Sequence, residues 1–252
     1  MKINSDVNIL GGLPDFELVD IFFRMFILKE ENTEDNSSFS RIRTDKSIRR
    51  FEKAIKSTLL HFNNSDFQSL LGEILKNEGI SNESLLMFFW NASGNNDLLH
   101  YINTNVFFPA YYSGRLILKQ DEISACLREL KTKEKELKKW SDSTIEITAS
   151  KYLTLLKKFN LLEGRISKSI KYPYLTDRSF VFFIYWLLTV ESKSNVLESQ
   201  WLQYSFYERE FFIERVMDKK FSKFLAITFT GDKLQVHPLM KYKDIYYAFT
   251  QS

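Results

Sequence analysis

Apolar residues along most of this chain recur at three- and four-residue spacing, the mark of helices with one buried face. The stretch from Trp140 to Tyr174 shows this most clearly. Ser141 to Thr144 form a short polar run whose hydroxyls and carboxylate suit a helix N-cap. Ile145, Ala149, Tyr152, Leu153, Leu156 and Phe159 then make a single stripe, and Asn160 to Gly164 end it. From Arg165 to Tyr172 apolar Ile166 and Ile170 alternate with basic Arg165, Lys168 and Lys171, so a short extended segment is expected.

The rest of the chain reads in the same way. Met1 to Gly12 is expected to be a loose arm, and Pro14 suits the first turn of a helix running to Leu28. That helix is apolar nearly all round, which requires burial or a partner. A polar loop over 32–40 leads to a second helix capped by Thr44 or Ser47. Its stripe is Ile48, Phe51, Ile55, Leu59 and Phe62, with basic residues on the other faces. Helices follow from Asn63-Asn64-Ser65-Asp66 to Gly79, from Ser81 or Asn82 to Gly94, and from an Asp97 cap to Pro109. Leu116 to Trp140 is expected as one long helix with a charged second half held by pairs such as Glu134 with Lys138. Asp177 caps a strongly apolar helix over Phe180–Val190, and Trp201 to Asp218 reads as another helix. Phe224 to His237 is the clearest β element, a hairpin turning at Gly231-Asp232. Tyr242 to Phe249 adds a last helix.

The fold class expected is therefore mainly α, a multi-helix body with a winged-helix-like element and a small C-terminal β-hairpin. Three modules are expected: 1–114, 115–190 and 191–252. With 252 residues, 44% apolar, the chain can bury a substantial core without staples. Only 8 Gly and 4 Pro punctuate it, which favours long helices over tight β connections. The single Cys126 excludes an intramolecular disulfide and a zinc finger, and points to a reducing, cytoplasmic setting. The longest apolar run, Phe180 to Leu188, is far short of the ~20 residues of a membrane span.

Net charge is only +3, but its distribution is uneven. Residues 1–40 hold three basic and eight acidic side chains, residues 41–56 seven basic and two acidic, and residues 128–171 twelve basic and six acidic. Two positive segments of this kind are expected of a protein meeting a polyanion.

Catalytic motifs are missing. There is no phosphate loop, no G-x-G-x-x-G, no H-E-x-x-H and no G-x-S-x-G, and the three histidines (His61, His100, His237) have no sequence-near partners. Cys126, beside Ala125 and Leu127, reads as a small buried hydrophobe. No metal, cofactor or small-molecule substrate is expected. The binding pattern is richer. Capped helix, stop and basic extended segment follow the order of the recognition helix and wing of a winged helix-turn-helix, which makes double-stranded DNA the expected partner. Thr144, Thr148, Lys151, Lys157 and Lys158 fall opposite or beside the core stripe, and Arg165, Lys168 and Lys171 on the wing would reach flanking phosphates. Arg41, Arg43, Lys46, Arg49, Arg50 and Lys53 form a second candidate surface. Lysine predominates on the 144–159 helix, and Asn and Gln are absent from its face. This favours backbone contact over base reading, because bidentate recognition needs a fork-shaped group.

Four features carry a family resemblance. Gly11-Gly12-Leu13 precedes an apolar helix. Arg41-Ile-Arg-Thr-Asp-Lys-Ser-Ile-Arg-Arg leads into an amphipathic one. Phe88-Phe-Trp-Asn-Ala is followed by an aromatic region to Tyr112, and Trp140-Ser-Asp-Ser-Thr is followed by the LLKKFNLLEG run to Gly164. Together, over most of residues 11–190, they resemble the BrxA family, a small helical component of BREX bacteriophage-defence systems. The resemblance implies a non-enzymatic, DNA-binding accessory protein acting beside a methyltransferase and other BREX proteins. A likeness to the helical RNA-binding antitermination factor NusB keeps RNA open as a ligand. A protein–protein adaptor within the defence complex is the alternative of a different class.

Overall fold

The computed structural model describes residues 3–29, 44–191 and 193–250. The chain forms two compact units: Met1–His61 with Ile80–Tyr172, and Phe62–Gly79 with Pro173–Ser252. Both are mainly helical, with a small antiparallel hairpin in each.

The first unit begins with α1 (Asp6–Leu10). The expectation of a loose arm is corrected here: Val7 and Leu10 are fully buried, and α1 packs on later helices of the unit. Asp6 fastens it, accepting hydrogen bonds from the hydroxyls of Ser57 (2.6 Å) and Thr58 (3.3 Å). α2 (Glu17–Phe23) continues as a wider turn over Arg24–Leu28, and its apolar girth is explained by burial of Leu18, Val19, Phe22 and Phe23. α3 (Asp45–Ala54) is capped by Thr44, whose hydroxyl accepts the Ser47 N–H, and runs on through Ile55–Leu59. Asn91 closes the end of that extension by donating to the carbonyls of Leu59 and His61, both at 2.9 Å.

The other helices of this unit are α5 (Asn82–Asn95), α6 (Asp97–Ile102), α7 (Phe108–Tyr112), α8 (Gln120–Lys133) and α9 (Asp142–Lys158); α4 (Ser65–Glu78) belongs to the second unit. Asn96 caps α6 in place of the expected Asp97. The single long helix expected over Leu116–Trp140 is broken at both ends. Leu116–Leu118 is extended, with Ile117 bridged antiparallel to Ser169, Leu118 N–H donating to Lys168 O, and Ile170 N–H donating to Leu116 O. Glu134 leaves helical geometry at φ −103°, ψ 120°, and a tight turn over Lys135–Lys139 follows. β1 (Leu162–Glu163) and β2 (Ser169–Ile170) then pair antiparallel.

In the second unit Asn64 caps α4 and Gly79, at φ +65°, ends it. α10 (Asp177–Val190) is capped by Thr176 rather than Asp177, and nine consecutive residues from Ser179 to Leu187 are buried. The helix expected over Trp201–Asp218 is reduced to α11 (Arg209–Val216), preceded by a short turn over Leu202–Ser205 that Phe206 ends at φ +61°. β3 (Leu225–Phe229) and β4 (Leu234–Pro238) form the expected hairpin, and Thr230 N–H donates to Lys233 O across Gly231-Asp232. α12 (Tyr242–Thr250) packs on α4. Among the described residues no helix is long and apolar enough to cross a membrane.

Candidate nucleic-acid interface

α9 is held in its unit by a buried polar chain. The Tyr152 hydroxyl donates to Asn103 Oδ1 (2.8 Å), Asn103 Nδ2 to Ser93 Oγ (3.0 Å), and Ser93 Oγ to Phe89 O (2.8 Å). On the α8 side Glu146 accepts from Gln120, Ser124 and Arg128. These bonds, that to Gln120 first, hold its carboxyl below the usual range. The helix rotation is thereby fixed.

That rotation corrects part of the site expected on α9. At about 100° per residue, Thr148 lies only about 60° from Ile145, so it belongs to the core flank. It is fully buried, and its hydroxyl donates to Thr144 O. Thr144 is half-buried and shares its hydroxyl with the Ser141 cap at 3.0 Å. Lys158 is also taken. Its ammonium donates to the carbonyls of Leu10 and Gly11, each at 3.2 Å, and of Leu13. Burial, and then the nearby Lys151, push its pKa down to about 8. Lys158 thus ties α1 to α9 and is not presented to solvent as a phosphate contact. Lys151 stays half-buried beside α1, with no hydrogen bond or ion pair of its side chain among the described residues.

The solvent face of α9 is Ser143, Ile147, Ser150 and Lys157, of which only Lys157 is expected from the sequence. A helical wheel phased on Ile145, Tyr152 and Leu156 finds it. Ile147 is 52% exposed there.

The hairpin consumes cations too. Gly164 sits at φ +88°, where a Cβ would fall 2.1 Å from Ser167 O, so the turn demands glycine. Lys157 donates to Gly164 O (3.1 Å), and Lys168 donates to Gly164 O (3.2 Å) and Arg165 O (2.6 Å). Lys171 donates to Asn160 Oδ1. Three expected phosphate contacts therefore brace the turn through local bonds. Arg165 remains exposed, beside Ile166 at 97% exposure.

α3 behaves differently. Lys46, Arg49, Arg50 and Lys53 are all exposed, and their side chains make no hydrogen bond or ion pair among the described residues. Their spacing of i, i+3, i+4 and i+7 gathers them on one stripe about 10 Å long, opposite the Ile48, Phe51 and Ile55 face. Lys56, on another face, pairs with Glu52 at 2.7 Å and lies over the Phe26 ring. Arg41 and Arg43 lie outside the described residues. α3 gathers four such cations on one face, while in the second segment Lys135, Lys138, Lys139 and Arg165 are also exposed with no side-chain hydrogen bond or ion pair among the described residues.

A BrxA family model matches residues 29–184, more than half of the chain. The chain belongs to the BrxA family. No curated relative matches this BrxA-family chain. Among solved structures, it is similar to the crystal structure of an uncharacterised protein from Magnetospirillum magneticum. That likeness has a TM-score of 0.53 at 12% identity and covers 75% of this chain and 98% of the other. At that identity it speaks for the fold alone.

Other expected chemistry is sparse. Among the described residues no group of three or more His, Cys, Asp or Glu is placed to hold a metal. Cys126 is partly buried, and burial pushes its thiol up to about 11, so it is held as the unreactive thiol.

Proposed function

We propose that this BrxA-family chain binds the phosphate backbone of double-stranded DNA along the exposed face of α3, as a non-enzymatic, cofactor-free, cytoplasmic accessory protein of a BREX defence system. The observation that carries this reading is the stripe of Lys46, Arg49, Arg50 and Lys53, four cations on one helix face with no internal partner among the described residues. A cation left without an intramolecular partner is available to release counterions from a polyanion. The order of extended Leu116–Leu118, α8, α9 and hairpin also follows that of a winged helix, and exposed Arg165 extends the basic surface. The Arg49 and Arg50 forks on α3 suit bidentate contact with phosphates, and α9 offers no fork-shaped group to read bases, so this is a backbone binder rather than a sequence reader.

The test is duplex binding across a salt series. Four phosphate contacts give a log–log slope of about −3.6, a loss of about 10²-fold between 50 and 200 mM salt. Arg49→Glu with Arg50→Glu should flatten that slope by about two. No binding at low salt would end the proposal, and preference for RNA in competition would redirect it to the NusB-like alternative.

A second reading is favoured by one observation. The α9 face and hairpin present Ile147, Ile166 and Leu116, at 52%, 97% and 73% exposure, rather than free lysines. That surface suits another protein of the defence complex better than DNA. Co-purification lost on Ile147→Asp or Ile166→Asp, with duplex binding kept, is the expected result.

A further inference from the structure

Between α1 and α3 lies a cavity of about 180 Å³, lined by Asn8, Ile9, Gly12, Ser47, Arg50 and Phe51. Ligand pockets for drug-sized molecules run to about 300–1,000 Å³, so this one suits a compact group. Its polar lining is amide, hydroxyl and guanidinium, with no carboxylate.

Three features give the cavity a sign. Arg50 has no side-chain partner among the described residues. Lys151 does not line the cavity, but its Nζ stands 3.7 Å from where a Cβ on the lining Gly12 would begin, and among the described residues that ammonium has no hydrogen bond or ion pair. The C-terminal carbonyls of α1, whose dipole would repel an anion, are already covered: Leu10, Gly11 and Leu13 all accept from Lys158. Asp15 is the one carboxylate felt at Lys158, and less strongly than Lys151.

Asn8 adds an independent observation. Its Oδ1 is buried with no hydrogen-bond partner, and Nδ2 makes no bond among the described residues. A phosphate oxygen accepts, so the contact Asn8 offers it is the unbonded Nδ2–H and not the buried Oδ1 acceptor. Next to the cavity, the residue before Gly12 packs tightly on α9. A Cβ on Gly11 would fall 2.3 Å from Lys151 O, and only bare glycine lets α1 come this close to α9.

We propose that this cavity seats a single phosphate group, held by the Arg50 guanidinium, the Lys151 ammonium and the Asn8 amide. The proposal rests on the DNA-binding reading for its source, a phosphodiester of the duplex lying along α3. A free phosphate offers the same chemistry, and the experiment separates the two.

The informative variants are Asn8→Ala and Asn8→Asp. The amide makes no internal hydrogen bond, so removing it should leave the unfolding temperature unchanged. Alanine also favours the helix. Two readouts are taken on the full chain: duplex affinity at several salt concentrations, and thermal stabilisation by inorganic phosphate against chloride at matched ionic strength. The expected result is about a tenfold loss of duplex affinity for Asn8→Ala, the usual scale for a hydrogen bond to a charged group. Asn8→Asp, nearly the same shape but anionic, should lose more. If phosphate stabilises the wild type but not Asn8→Ala, and duplex binding is equal for both, the seat takes free phosphate. If the wild type binds no duplex yet gains stability from phosphate through Asn8, the DNA reading falls and the seat stands. Equal behaviour of wild type and both variants toward both ligands overturns the seat. If Asn8→Ala fails to fold, the idle amide is structural and the proposal also falls.

Discussion

Replacing Lys158 by methionine separates a structural lysine from a DNA-contacting one. Methionine keeps the length and apolar stem of the side chain and deletes only the ammonium. The carbonyls of Gly11 and Leu13 then lose this donor, and that of Leu10 keeps only the Leu13 N–H. Hydrogen bonds to charged groups contribute about 1.5–3 kcal/mol each and do not add when they share one donor. Against them stands the burial that lowers the lysine from 10.5 to about 8. At 1.36 kcal/mol per unit that opposes folding at pH 7 by at most about 3.4 kcal/mol. Partial solvent access reduces it to about 1–2 kcal/mol. The carbonyl bonds win, and the net loss for Lys158→Met should be about 2 kcal/mol. It is read as a lower urea midpoint with an unchanged slope.

The same linkage fixes a pH trend. A lysine depressed in the folded state contributes stability that is present above its unfolded pKa of 10.5 and lost as pH falls through about 8. The gap between wild type and Lys158→Met should therefore widen as pH rises from 7 to 9.5. Duplex affinity of the folded variant should stay within about twofold of wild type. Equal urea midpoints together with a large loss of DNA binding would refute the reasoning and return Lys158 to the interface.

Gly11→Ala should be worse than its size implies. Its Cβ would fall 2.3 Å from Lys151 O, and overpacking of this kind costs about 1–3 kcal/mol, seen in the urea midpoint. An unchanged midpoint would mean that α1 is not seated on α9. Cys126, with its thiol pushed up to about 11, should react with iodoacetamide at pH 8 about 10²-fold more slowly than a free thiol, and at ordinary rate in urea. Its contribution to stability is full below the unfolded value of 9.0 and is lost between 9.0 and about 11, the reverse of the lysine trend.

Much of the helical body was legible in the sequence because periodicity and caps are local. Asn64, Ser81, Ser141 and Thr44 cap helices as their types predict, and Gly79 ends α4 in the left-handed region. What failed was set by distant partners. Leu116–Leu118 reads as helix by composition, yet Lys168 and Ile170, about fifty residues later, draw it into extended pairing. The segment before Gly11 reads as an arm because it is short and mixes polar with apolar residues, yet Val7 and Leu10 reach a core that only the folded chain assembles. At the site, residue type and clustering were visible for every cation. Whether a cation is free is a property of its neighbours, and so Lys157, Lys158 and Lys168 looked the same as Arg49 and Arg50.

Those neighbours include one short helix that both positive segments pack against. α1 touches both α3 and α9, and each contact uses a different side of the short helix. Asp6 binds the hydroxyls at the end of the α3 extension, while Gly11 admits the backbone of α9. The carbonyl end of α1 would be a negative spot between two positive helices. Lys158 covers that end, and Lys151 Nζ stands near Gly12, which lines a cavity together with Arg50. A short apolar-anchored segment that sequence periodicity passes over thus decides which of the basic residues face solvent together. Gly11 bears on the proposed interface because only glycine there lets α1 approach α9 closely enough for Lys158 to turn inward onto its carbonyls.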